Sequence, residues 1–195
     1  KETGENGGGL TYNLGAHVID QAVQLFGMPE AVFADIATLR TGGKVDDYFI
    51  IHLMKPARMP EVKITLKASY LMCENEPRFV LHGTEGSYVK YGLDPQEADL
   101  TKGMLPDTPH WGEEDESQWG ILHTETDGNV VRKPYPTLPG NYAAFYENIY
   151  QHIRNGAVLQ SDACGVLGVI RLIEAAWESS RTGTVSYTHL TLPTK

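Results

Sequence analysis

The chain has 195 residues, 41% of them hydrophobic, and a formal net charge of −9 at pH 7. This length suits one sizeable domain with its own hydrophobic core. The acidic balance disfavours nucleic acid and anionic membranes as partners, because their surfaces bind basic faces. No apolar run in the sequence is long enough to span a bilayer, and no signal-peptide pattern opens the chain. We therefore expect a protein that binds neither nucleic acid nor membrane.

The two cysteines, Cys73 and Cys164, lie far apart in sequence and lack the spacing of metal ligands. Cys164 falls in a predicted helix among small apolar residues, which favours a buried free thiol over a disulfide. Reduced thiols predict a cytoplasmic location. The acidic run 113–116 predicts a solvated loop.

The chain opens with a polar, glycine-rich segment, residues 1–9, which predicts a lead-in loop. A helix is predicted over residues 10–26, because Leu14, Val18, Ala22 and Leu25 recur at helical spacing. The Gly27-Met28-Pro29 sequence ends this helix.

A run of strands is predicted next from β-branched and aromatic residues between turn signals. The predicted strands cover residues 31–39, 47–54, 61–70, 78–82, 87–91, 119–126 and 129–133. Strand 61–70 alternates most regularly, with Lys63, Thr65 and Lys67 on the face opposite its apolar residues. This alternation is typical of an antiparallel sheet with one face on a core.

Residues 94–118 predict a short helix and a surface loop, and helices over residues 141–154 and 161–180 follow. The order of helix, strands and helices predicts an α+β fold, with an open, mainly antiparallel sheet and helices packed on one face. We place this domain at residues 10–184.

The last segment, residues 185–195, resembles a translated sequencing adapter, and we expect it to be non-native from Ser186 onward. His189 then carries no chemistry. A final edge strand is the alternative, because threonine, valine and tyrosine suit β-structure.

Common catalytic motifs are missing from the sequence. No Gly-x-Gly-x-x-Gly follows a predicted strand, so no dinucleotide site of the Rossmann type is expected within the chain. No metal site is predicted either. Asp46 and Asp47 are adjacent in a strand and point to opposite faces, which favours solvation at a turn or strand edge over a catalytic pair.

One group of residues points to chemistry. Asn13 and His17 lie one helical turn apart and can face the same cleft, while Gly15 leaves room between them. A histidine placed in this way can share the proton of a substrate hydroxyl. A helix-packing glycine and an exposed histidine explain the pattern nearly as well.

Residues 7–20 resemble the signature that opens the C-terminal domain of the Gfo/Idh/MocA family, the glucose–fructose oxidoreductase and inositol dehydrogenase group. Further matches occur at residues 83–95, 138–142 and 169–176. Together they cover nearly all of residues 7–184 and are most similar to the branch with NADP-dependent scyllo-inositol dehydrogenases.

This resemblance implies an oxidoreductase that acts with NAD or NADP on a hydroxyl of a sugar or cyclic polyol. It also implies a Rossmann domain outside this chain that holds the cofactor and a catalytic lysine, so the chain alone should be inactive. His17 matches the histidine that contacts the reacting hydroxyl, and Asn13 stands where the family usually has aspartate. Tyr12 and Tyr142 are candidate walls of the substrate site.

The resemblance further implies a homo-oligomer that forms through the β-sheet face bearing Lys63, Thr65 and Lys67. Asn13 leaves one alternative open, because an amide can orient a histidine but supplies no charge. In that alternative the chain is a non-catalytic binding or assembly module of the same fold that has lost dehydrogenase activity.

Overall fold

The computed structural model describes residues 7–188, which form two compact units. The first unit contains residues 7–72 and 161–188, and the second contains residues 73–160. In chain order the elements are a π-helical turn (Thr11–Gly15), α1 (Ala16–Phe26), β1 (Pro29–Ala37), β2 (Tyr48–Pro56), β3 (Ile64–Ser69), β4 (Phe79–His82), β5 (Gly86–Lys90), α2 (Gln96–Thr101), a 3-10 turn (Glu116–Gln118), β6 (Gly120–Thr126), β7 (Asn129–Tyr135), α3 (Ala143–Asn155), α4 (Ala163–Thr182) and β8 (Ser186–Tyr187).

The first unit is built on a four-stranded antiparallel sheet in the order β3-β2-β1-β8. Helices α1 and α4 pack on one face, where Phe49, Ile51 and Ile173 are fully buried. Each such side chain contributes about 1.5–3 kcal/mol through its burial. The other face is open, and strand alternation places Lys63 and Thr65 on it, as predicted.

The core-facing side of the first helix differs from the prediction. Ile19 and Ala22 are buried, whereas Leu25 is 53% exposed. The predicted apolar stripe is therefore wrong at Leu25. Ile19, Ala22 and Leu25 all lie in regular α1, where Leu25 is about 120° around the helix from Ile19 and therefore points away from the buried face.

The second unit contains a separate four-stranded antiparallel sheet in the order β4-β5-β6-β7. Asp127 and Gly128 both adopt positive φ at the hairpin that joins β6 to β7, as an Asp-Gly turn requires. Helix α3 has no buried residue in the structure. The predicted α+β class is confirmed, with antiparallel strands and with helices on one face of the first sheet.

Two local predictions have different outcomes. Cys164 is a free thiol as predicted, but it is exposed rather than buried, because it lies in the first turn of α4, before the core face of that helix begins. Glu114 of the acidic run is largely buried in an ion pair with Lys90, at 2.7 Å. The solvated-loop interpretation is therefore wrong for Glu114. The N-cap of α4 is Asp162, whose carboxylate accepts from Gly165 N–H at 2.8 Å.

Residues 186–187 form a short edge strand. Strand β8 pairs with β1, and Thr188 N–H donates to the carbonyl of Glu30 at 2.9 Å. The adapter origin of this segment stays a prediction, and residues 189–195, including His189, lie outside the described residues, as do residues 1–6. The domain limits at residues 10–184 also stay a prediction.

Among the helices of residues 7–188, none combines the length and the apolar composition that a membrane span needs.

Candidate functional site

The turn that carries the candidate residues is fixed by a buried carboxylate. Asp46 is 3% exposed and accepts hydrogen bonds from the backbone N–H of Thr11 at 2.6 Å and from its hydroxyl at 2.7 Å. Gly9 lies against the same carboxylate with φ +91°, and a Cβ there would be 1.7 Å from Asp46 Oδ1. Only glycine fits this position, so the lead-in loop and the turn are held together.

Asn13 and His17 both project from this helix to the surface, and both are exposed. Asn13 lies inside the π-helical turn and His17 in the first turn of α1. Within residues 7–188 no hydrogen bond joins the two side chains, and none engages the His17 imidazole. The ring nitrogens of His17 therefore remain available to a ligand. π-Helical turns inside helices are frequent at functional sites.

Asn13 has a partner that the sequence did not suggest. Its amide Nδ2 donates to the hydroxyl of Tyr70 at 3.3 Å. Tyr70 follows β3, is 50% exposed, and has the guanidinium of Arg40 at 5.9 Å from its ring centroid. Asp47 in turn binds Arg40 Nε at 2.8 Å.

Asp47 is buried and occupied by structural contacts. Its carboxylate accepts from the N–H groups of Leu39 at 2.7 Å and Arg40 at 3.1 Å. The Leu39 hydrogen bond, followed by the contacts with Arg40, holds the pKa of Asp47 below its usual value of 3.8. The two carboxylates bind different groups, Asp46 binding Thr11 and Asp47 binding Leu39 and Arg40, as expected for side chains that point to opposite faces. The solvated interpretation is wrong for both, because both are buried.

Tyr12 is fixed by an acidic partner from another helix. Its hydroxyl donates to the carboxylate of Glu174 on α4. Burial, the hydrogen bond from Tyr12 to Glu174 and the negative charges of Glu174 and Asp46 raise the pKa of Tyr12 to about 12. Tyr12 is therefore protonated at neutral pH, which suits a hydrogen-bonding wall of the site.

Tyr142 belongs to the second unit, where its backbone is held by a buried amide. Gln96 is fully buried, and its Oε1 accepts from Tyr142 N–H at 2.9 Å and from Trp111 Nε1 at 2.8 Å. Gln96 Nε2 donates to Asp94 at 2.9 Å. The Tyr142 ring stays 42% exposed. Burial, followed by the charges of Asp94 and Glu97, raises the pKa of its hydroxyl.

The structure thus places Tyr12 and Asn13 in the π-helical turn and His17 in the next turn of the first unit, with Tyr12 partly buried and the other two exposed. The supporting residues Asp46, Tyr70 and Glu174 were not recognised as part of this site from the sequence. Tyr70 lies 57 positions from Asn13, and Glu174 lies 162 positions from Tyr12. Only the fold brings these pairs together. No local pattern identifies them.

The first unit's site offers the side chains of Tyr12, Asn13 and Tyr70 as neutral hydrogen-bonding groups, together with the Glu174 carboxylate and the His17 imidazole. Within residues 7–188 no cluster of histidine, cysteine or acidic side chains could hold a metal ion. The described strands pair only in antiparallel fashion, and no glycine-rich loop joins a parallel strand to a helix. These residues therefore do not fit the Rossmann mode of dinucleotide binding.

Residues 1–188 match the family described as "Oxidoreductase family, C-terminal alpha/beta domain" of the Gfo/Idh/MocA group. The chain belongs to the Gfo/Idh/MocA oxidoreductase family. A crystal structure from Bacteroides fragilis, whose name gives only the class oxidoreductase, is 62% identical with a TM-score of 0.87. That alignment covers 92% of this chain and 53% of the B. fragilis chain.

Among curated Gfo/Idh/MocA relatives, the scyllo-inositol 2-dehydrogenase (NADP(+)) IolW of Bacillus subtilis is 36% identical over 173 residues. The alignment covers 89% of this chain and 47% of that enzyme. The uncharacterized oxidoreductase YdgJ of Escherichia coli is 35% identical over 181 residues, which cover 93% of this chain and 51% of the relative. The chain spans about half the length of the curated relatives it matches.

Proposed function

We propose that this chain is the substrate-binding half of a longer NAD- or NADP-dependent oxidoreductase that acts on a hydroxyl of a sugar or cyclic polyol. The observation that carries the proposal is the exposed His17 imidazole beside Asn13, on a turn anchored by buried Asp46. The B. subtilis relative is named as a scyllo-inositol dehydrogenase that uses NADP, which supports both the substrate class and the cofactor.

In this proposal His17 accepts the proton of the reacting substrate hydroxyl and returns it in the reverse direction. An imidazole is suited to this role because it exchanges a proton near neutral pH. Tyr12 and Asn13 contact other substrate atoms by hydrogen bonding or packing. Tyr142 lies in the second unit, and its role as a wall of the substrate site stays a prediction. The cofactor is bound outside the described residues, which do not supply a glycine-rich dinucleotide loop after a parallel strand.

We also propose that the protein is a cytoplasmic homo-oligomer. The exposed free thiols Cys73 and Cys164 suit a reducing compartment. The open sheet face carries Phe33, which is 37% exposed and stacks on His52, and it also carries Lys63. This mixture of apolar and polar groups suits an interface between copies.

The test uses the full-length protein recovered from the source DNA. We would assay it for change in nicotinamide absorbance with NAD and NADP, against inositol isomers, linear polyols and aldoses. We expect turnover of at least one of these substrates, and we expect His17→Ala to lower kcat/KM by roughly 10²-fold or more, as loss of an acid–base group does.

The matched control is His123→Ala. His123 is an exposed histidine on β6 without a proposed role, so its loss should leave kcat/KM unchanged. If the wild-type protein turns over no member of the panel but forms a stable oligomer, the non-catalytic assembly module becomes the better interpretation.

A further inference from the structure

The feature that extends the proposed site is Tyr70, a half-exposed tyrosine held from several sides. Its backbone N–H donates to the carbonyl of Asp47 at 3.0 Å. Its hydroxyl accepts from Asn13 Nδ2 at 3.3 Å, and Arg40 lies over its ring at 5.9 Å. An ordinary surface tyrosine samples many rotamers, whereas these contacts favour one orientation.

One buried residue, Asp47, organises two of these contacts, one through its carboxylate and one through its backbone carbonyl. Asp47 binds Arg40 Nε at 2.8 Å through its side chain and receives Tyr70 N–H on its carbonyl. The Asp47 side chain is fully buried, while that of Arg40 is 35% exposed. The contacts with Asp47 and Arg40 therefore hold Tyr70 at the end of the sheet, where it remains 50% exposed. Exposure of a fixed aromatic ring is typical of a surface that meets a ligand.

The chemistry of Asn13 determines what Tyr70 can do. An amide nitrogen only donates, so the Tyr70 oxygen acts as acceptor toward Asn13 and its own O–H is left to donate elsewhere. A carboxylate at position 13 could only accept, and it would occupy the Tyr70 O–H by accepting its hydrogen bond. Asparagine at this position thus leaves Tyr70 as a hydroxyl donor at the site.

We propose that Tyr70 is a specificity-determining residue that donates a hydrogen bond to a substrate hydroxyl next to the one that reacts. This inference rests on the proposed function, because it assumes that the turn with Asn13 and His17 binds substrate. The site favours an uncharged, hydroxyl-rich ring over a sugar acid. Arg40 forms an ion pair with Asp47, and Asn13 and Tyr70 carry no charge, so these residues leave no unpaired positive charge for a substrate carboxylate.

The experiment measures kcat and KM of the full-length protein for its best polyol or sugar substrate and for the matching series of monodeoxy analogues. The variants are Tyr70→Phe, Asn13→Ala and the double variant. Tyr91→Phe is the control, since Tyr91 is 51% exposed and lies in the second unit. Thermal unfolding of each variant checks that the fold is intact, and Tyr70→Phe keeps the ring and its packing.

We expect Tyr70→Phe to raise KM about tenfold, with a smaller change in kcat, because one hydrogen bond to the bound substrate is lost. Wild-type protein should discriminate against one particular deoxy analogue, and Tyr70→Phe should lose that discrimination. In the Asn13→Ala background the Tyr70→Phe effect should shrink to less than about twofold, because the two residues act as a pair.

Two results overturn the inference in distinguishable ways. If the wild-type protein is active but Tyr70→Phe matches Tyr91→Phe for every analogue, the role of Tyr70 is refuted while the proposed function stands. If the wild-type protein turns over no sugar or polyol, the proposed function fails and this inference fails with it.

Discussion

Removal of the Asp46 carboxylate should strongly destabilise the first unit. Asp46 accepts two short hydrogen bonds from Thr11, at 2.6 and 2.7 Å, and is 3% exposed. Hydrogen bonds to a charged group contribute about 1.5–3 kcal/mol each, and an unsatisfied buried donor has a cost of similar size. Because the two bonds share one acceptor, we expect Asp46→Ala to lower the free energy of unfolding by about 3–5 kcal/mol rather than by their full sum.

We would follow unfolding in urea by far-ultraviolet circular dichroism and by tryptophan fluorescence. Trp177, which packs against the core of this unit, contributes to that fluorescence together with Trp111 and Trp119 of the second unit. Asp35→Ala is the control, since Asp35 is exposed on β1. It should change the free energy of unfolding by no more than about 0.5 kcal/mol. An Asp46→Ala loss below about 1 kcal/mol would refute the reasoning, because buried charge-assisted bonds would then contribute little.

Three further predictions follow from particular contacts. The pKa of Asp47 is lowered in the folded state. The ionised carboxylate therefore stabilises the fold above the unfolded-state pKa, and this stability is lost as the pH falls through the lower, folded-state pKa. Asp47→Asn should accordingly flatten the fall of Tm below about pH 4. Gln96→Met leaves the Trp111 indole and one backbone donor unpaired, and we expect a loss of about 2–4 kcal/mol in urea unfolding. The control Gln160→Met, at an exposed position of the same unit, should change the free energy of unfolding little. Replacing Lys63 and Lys67 together by glutamate should weaken the proposed oligomer of the full-length protein, and an unchanged mass in light scattering at micromolar concentration would contradict the sheet-face interface.

The elements of the fold were predictable because their signals are local. In β3 the alternation of Ile64, Leu66 and Ala68 with Thr65 and Lys67 places the first set toward the core, as the sequence indicated. Asp127-Gly128 likewise requires the positive φ values that turn β6 into β7. Period and turn chemistry act over a few residues, so one sequence suffices to reveal them.

The support of the site was not predictable, because it depends on contacts between distant segments. The π-helical turn at Thr11–Gly15 changes the helical period, and no composition signal marks it. Asp46 looked like a strand-edge residue because its partner, Thr11, lies 35 positions away. The exposed position of Cys164 depends on where the core face of α4 begins, and the apolar neighbours of Cys164 in the sequence do not reveal that.

The most direct test of the proposed function is the kcat/KM of the full-length protein with NAD or NADP and its best sugar or polyol substrate, measured for wild type, His17→Ala and His123→Ala. The account predicts measurable turnover by wild type and His123→Ala, and a fall of roughly 10²-fold or more for His17→Ala. Equal activity of all three proteins would contradict the role of His17, and no turnover of any sugar or polyol by wild type would contradict the proposed function itself.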